Sequence, residues 1–163
     1  MADGWKEIEH GADGLGVAFD KRDGSVWFGI GTQNFTTGYL VNDKQGADYS
    51  LTSERGTICE SRRTSRRQIA CTGIRFPVAM RFNAAGDLFC TDQEGATWLP
   101  NGNPSDELLH IEMGRHYGFL LPHPKHLPNV IDELSTFDYG PQHQSTCGFN
   151  FNESVVDDGS IWP

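Results

Sequence analysis

The chain has 163 residues, with 22 acidic against 13 basic side chains and a net charge of −9. That balance argues against nucleic acid as a partner, because phosphate binding relies on clustered Lys and Arg. No run approaches the ~18 apolar residues of a membrane span, and no basic-then-apolar signal pattern opens the N-terminus.

Nineteen Gly, ten Phe and four Trp interleave with short apolar runs, without a long amphipathic helical pattern. An all-β fold is expected. In chain order, the segment from Gly11 to Gly16 is glycine-rich but lacks the Gly-Lys-Ser/Thr of a phosphate loop and precedes a strand rather than a helix. Val17-Ala18-Phe19-Asp20 and then Asp23-Gly24-Ser25-Val26-Trp27-Phe28 read as strand, glycine turn, strand. Arg62-Arg63 and Arg66-Arg67 form the only basic cluster, read as a solvated turn, with a docking patch for an acidic partner as the alternative. Met80-Arg81-Phe82-Asn83 and then Gly86-Asp87-Leu88-Phe89-Cys90 repeat the first hairpin, and Phe149-Asn150-Phe151-Asn152 opens a third, stretched copy ending in Asp158-Gly159-Ser160-Ile161-Trp162.

Such recurrence predicts blades of a β-propeller with insertions, one at residues 96–103 and another at 120–128. A propeller closes with about four blades or more, and this chain supplies two to three. Residues 1–163 are therefore expected to be a single partial propeller domain, a fragment of a longer multidomain protein. Open blades of this kind expose sheet edges and half a core.

Cys59, Cys71, Cys90 and Cys147 show no Cys-x-x-Cys spacing, which excludes a c-type haem attachment or zinc ribbon here. Cys90 and Cys147 are expected to be buried thiols, and a Cys59–Cys71 bridge across a hairpin is conceivable. Asp92, Glu94, Asp106 and Glu107 bracket a Gly- and Pro-containing loop, offering the carboxylate and carbonyl oxygens that calcium takes. The alternative is that these acids solvate a surface loop. His110, His116, His123, His126 and His143 lack His-Glu-x-x-His spacing, so exposed or hydrogen-bonded histidines are favoured over a transition-metal site. His143 is the most plausible general base, flanked by Gln142 and Gln144, whose amides suit sugar hydroxyls or a cofactor carbonyl. A polar loop is the simpler reading of that segment. Ser145 lacks a nucleophile elbow and an orienting acid.

Gly73-Ile74-Arg75-Phe76-Pro77, a strand, Asp92-Gln93-Glu94-Gly95, Asp106-Glu107-Leu108-Leu109 and Gly114-Arg115-His116-Tyr117-Gly118-Phe119 together resemble the glucose/sorbosone dehydrogenase family. More closely, they resemble the propeller module of membrane-bound dehydrogenases of planctomycete-type bacteria. The resemblance runs from about Gly14 to Asn152 and implies a six-bladed propeller that binds pyrroloquinoline quinone and calcium and oxidises a carbohydrate or alcohol. It also implies a cytochrome c-type electron acceptor and a periplasmic or extracellular location. Position by position, it implies that Arg75 lies at the quinone, Gln93 in the turn whose oxygens approach calcium, Asp106 at the opening of the Asp-Glu-Leu motif and Tyr117 at the motif's aromatic. The family's catalytic histidine position falls near Ala12, with His10 two residues away. Phe76 stands where the family has Asn, Glu94 is added to the Gln-Gly turn and Phe119 replaces Trp. Two other classes remain open on the same residues: a non-catalytic propeller used for binding or scaffolding, and a calcium-dependent lactone hydrolase.

Overall fold

The first expected hairpin forms as read, with β1 (Gly14–Phe19) antiparallel to β2 (Val26–Ile30) around a turn whose Gly24 has φ of 77°. The computed structural model describes residues 14–31, 54–62, 66–94, 105–119, 129–140 and 144–152. β3 (Thr57–Ser61) and β4 (Gln68–Thr72) extend the pair into an antiparallel meander. The two-residue strands β8 (Arg115–His116) and β9 (Ile131–Asp132) add on parallel beyond β4, giving the order β1-β2-β3-β4-β8-β9. A second sheet repeats the meander with β5 (Pro77–Phe82), β6 (Leu88–Asp92), β7 (Asp106–Ile111) and β10 (Phe137–Tyr139), in the order β10-β7-β6-β5. The described residues contain no helix, and neither sheet closes on itself. The chain is all-β.

Alternation of side chains along each strand sorts the apolar residues by face. Ala18, Ile58 and Cys71 of the first sheet meet Met80, Leu88, Cys90, Leu109 and Ile111 of the second, with Trp27 and Phe82 packed at the margin. Trp27 and Phe82 meet edge to face, with centroids 6.1 Å apart. Each fully buried Leu or Ile contributes about 1.5–3 kcal/mol relative to exposure, so this seam holds the sheets together. On the other face of β1, Val17 and Phe19 are 69% and 58% exposed.

Close approach at Gly29 sets the spacing of the sheets. A Cβ there would sit 2.2 Å from Cγ of Pro77, a distance no side chain tolerates without the sheets moving apart.

Two cysteine expectations are corrected. Cys147 is exposed, because it lies in the connector outside the second sheet, where its Sγ meets the Ser145 carbonyl at 2.9 Å. Cys59 and Cys71 are buried free thiols: Cys71 stands opposite Ile58 and Cys59 opposite Ile69, so their side chains point to opposite faces. Cys90 is buried, as expected. Within the basic cluster, Arg62 pairs with Glu60 at 2.8 Å and Arg67 with Glu54 at 2.6 Å.

Gly29→Ala should destabilise the fold by about 1–3 kcal/mol, as overpacking does. Gly14→Ala, with nothing within 4 Å of the added carbon, serves as the control and should stay near wild type. Urea melts of the two variants check the sheet spacing.

Candidate functional site

Pro77 opens β5, and the two residues before it cross from the first sheet to the second. Their backbone N–H groups have no ladder partner and need one. Asp92, the last residue of β6, supplies it: Oδ2 accepts from Arg75 N–H at 2.8 Å and Oδ1 from Phe76 N–H at 2.6 Å. The Arg75 guanidinium turns the same way and donates through Nη1 to the Gln93 carbonyl. Gln93 N–H in turn donates to the Phe76 carbonyl at 3.2 Å.

Asp106, the first residue of β7, does the same for the next crossing. Its Oδ1 accepts from Glu94 N–H at 3.0 Å, and its Oδ2 accepts from the N–H groups of Gln144 at 3.1 Å and Thr146 at 3.0 Å. Gln93 reinforces it by donating from Nε2 to the Thr146 carbonyl at 3.0 Å. Two aspartates thus clamp the two connectors that lead into β5 and into the segment at residues 149–152.

The cluster is rich in acid and buried. Arg75 is 2% exposed, and Asp92, Glu94 and Asp106 are buried around it. Burial pushes the carboxyls of Asp92 and Glu94 up, and Glu94 also faces the charges of Asp92 and Glu107; Arg75 pulls both the other way. Glu107 stands directly opposite Asp92 on one side and Asp138 on the other, a row of like charges across three strands. Burial first and those neighbours second push Glu107 from 4.5 up to about 8.

The structure therefore brings Arg75, Asp92, Gln93, Glu94, Asp106 and Glu107 to one end of the second sheet. Tyr117 is elsewhere. Its ring belongs to the core, and its hydroxyl donates to the His110 carbonyl at 2.5 Å and accepts from Glu112 N–H at 3.0 Å, at the far end of β7 from Asp106. His10, Gln142 and His143 lie outside the described residues, as do both insertions at 96–103 and 120–128. His116 is buried with Nδ1 2.8 Å from the Thr72 hydroxyl, and His110 stacks on Phe89.

Calcium needs several oxygens converging with lone pairs to spare. Asp92 and Asp106 direct theirs at backbone amides, and among the described residues no group of three or more His, Cys, Asp or Glu side chains is placed to hold a metal ion. For the quinone, the Arg75 guanidinium is buried against Gln93, and the Gln93 amide donates to Thr146. Arg75, Asp92, Gln93 and Asp106 are thus engaged with the chain's own backbone.

A second location emerged only in space. A cavity of about 680 Å³ opens at the opposite end of β5, lined by Val17 to Arg22, Met80 to Ala84, Gly86 and Asn150 to Asn152. All three repeated tetrapeptides contribute to its walls, so the repeat was the signal that would have located it. Compared with known proteins, the chain matches no protein-family model, no curated protein and no solved structure.

Because Glu107 holds its proton to higher pH when folded than when unfolded, the folded state binds more protons between about pH 4.5 and 8. Its contribution to stability is greatest below that window and is lost as pH rises through it. Glu107→Gln should flatten the fall in melting temperature across this range and raise the melting temperature at pH 8; equal slopes in the two proteins would contradict the assignment.

Proposed function

We propose that this chain is two successive blades and the opening strand of a third in a β-propeller, acting as a binding or scaffold module rather than as the catalytic centre. The propeller reading is supported by the way the repeats meet. The ends of β1 and β5, at Phe19-Asp20 and Phe82-Asn83, and the third repeat at Phe151-Asn152 line one cavity, as the innermost segments of neighbouring blades do around an axis. β1 and β5 pack side by side without pairing, each the first strand of a four-stranded meander.

The single observation that carries binding over catalysis is the use of the motif side chains. Arg75, Asp92, Gln93 and Asp106 direct hydrogen bonds at the chain's own backbone, which makes them a structural clamp at the positions where the resemblance puts a cofactor.

A second reading, a dehydrogenase using pyrroloquinoline quinone and calcium on a carbohydrate or alcohol, is favoured by the acid excess at the same place. Asp92, Glu94 and Asp106 face one guanidinium, and beside them burial and neighbouring acids push Glu107 up to about 8, within the range useful for moving a proton. That reading needs its remaining groups from His10, Gln142 and His143.

Titrating the protein with calcium and pyrroloquinoline quinone, followed by quinone absorbance and melting temperature, separates the two. The binding-module reading expects no saturable change at micromolar quinone. Saturable binding lost in both Arg75→Ala and Asp106→Ala, with each variant still folded, would replace it with the dehydrogenase reading.

A further inference from the structure

The cavity at the ends of the first strands has a composition unlike the rest of the chain. In a protein of net charge −9, its wall carries Lys21, Arg22 and Arg81 against a single acid, Asp20. Asp20 is fully occupied by Arg22: Oδ1 accepts from its backbone N–H at 2.9 Å and from Nε at 3.0 Å, and Oδ2 accepts from Nη2 at 2.8 Å. Arg22 itself is a piece of the wall. It lies over the Phe82 ring at 5.7 Å, and its Nη1 occupies the space a Cβ at Gly86 would fill, 1.9 Å away, so only glycine lets it lie there. Asp23 and Asp87 flank Arg22 from outside the cavity and further neutralise it.

Lys21 and Arg81 are different. Both are exposed, and neither forms an ion pair among the described residues. Arg81 is anchored through its Nε, which donates to the Phe149 carbonyl at 2.9 Å, so its terminal nitrogens are not the ones used in that bond. The same cavity is lined by the exposed Asn150 and Asn152 and by Phe19, Phe82 and Phe151. A volume of about 680 Å³ is within the ~300–1,000 Å³ of small-molecule sites.

We propose that this cavity binds a small organic anion, a carboxylate or phosphate attached to a ring or other apolar body. Lys21 and Arg81 take the charged group, the two asparagine amides donate to its oxygens, and Phe19 and Phe151 cover the apolar part. The site uses only described residues of the two sheets and the segment at 150–152, so it stands whether or not the clamp at the other end of β5 also serves a cofactor.

The test uses the full chain with benzyl phosphate, phenylacetate, inorganic phosphate and neutral benzyl alcohol, read by calorimetry. Benzyl phosphate and phenylacetate should bind saturably, more tightly than inorganic phosphate, and the tighter of the two identifies the anion. Lys21→Gln and Arg81→Gln should each weaken binding about tenfold, the loss of one charge-assisted hydrogen bond, with melting temperatures unchanged. Phe151→Ala should weaken the ring-bearing probes and leave inorganic phosphate unaffected. Equal binding of benzyl alcohol, no effect of either cation substitution, or no saturation by any anion at millimolar concentration would overturn the proposal.

Discussion

A buried carboxylate accepting two backbone N–H groups of a crossing segment is the interaction on which the rest depends. Asp92 does this for the connector into β5, and Asp106 for the connector at residues 144–146. Each such bond to an ionised acceptor contributes about 1.5–3 kcal/mol, and an unpartnered buried N–H would cost a comparable amount. Because the connectors are short and non-repetitive, nothing in the ladders fixes where they run. The aspartates fix it, and so fix how one meander follows the next. With that register set, β5 lies against β1, the Trp27–Phe82 seam closes and the ends of these two strands meet the segment at residues 150–152 around the cavity.

Gathering the clamps at one end of the second sheet concentrates charge. One guanidinium, Arg75, serves Asp92, Glu94 and Asp106, while Glu107 is left between Asp92 and Asp138. A buried ion without a matching partner is expensive, and the usual relief is to take up a proton. The raised carboxyls of Glu94 and Glu107 are that relief. The arrangement ties the connectors down at the expense of stability above neutral pH, and it gives this end of the sheet its acid–base character.

Much of this was legible in the sequence. Alternation in residues 14–19 and 77–82, with glycine turns following, located both hairpins because strand period and turn chemistry are local properties. The recurring tetrapeptides at 17–20, 80–83 and 149–152 marked equivalent positions. The grouping of Arg75, Asp92, Gln93, Glu94, Asp106 and Glu107 was also readable, since all stand at strand ends joined by the meander. What those side chains do there was not. Whether an aspartate faces a cation or an amide depends on the path of a connector folded back from up to 40 residues away, as with Thr146 and Asp106. Tyr117 was placed by motif, but its hydroxyl is drawn to the β7 end by the His110 carbonyl. Cys147 sits in an apolar stretch of sequence, yet the connector carrying it runs over the outside of the second sheet. Asp138 carried no signal at all, because only cross-strand register sets it against Glu107.

Amide hydrogen exchange of the unmodified protein tests the clamp most directly. Arg75, Phe76, Gln144 and Thr146 all lie outside the strands, where amides ordinarily exchange rapidly. If the two aspartates hold the connectors, these four N–H groups will exchange as slowly as those of β6 and β7. Exchange at the rate of open loops at all four would contradict the account.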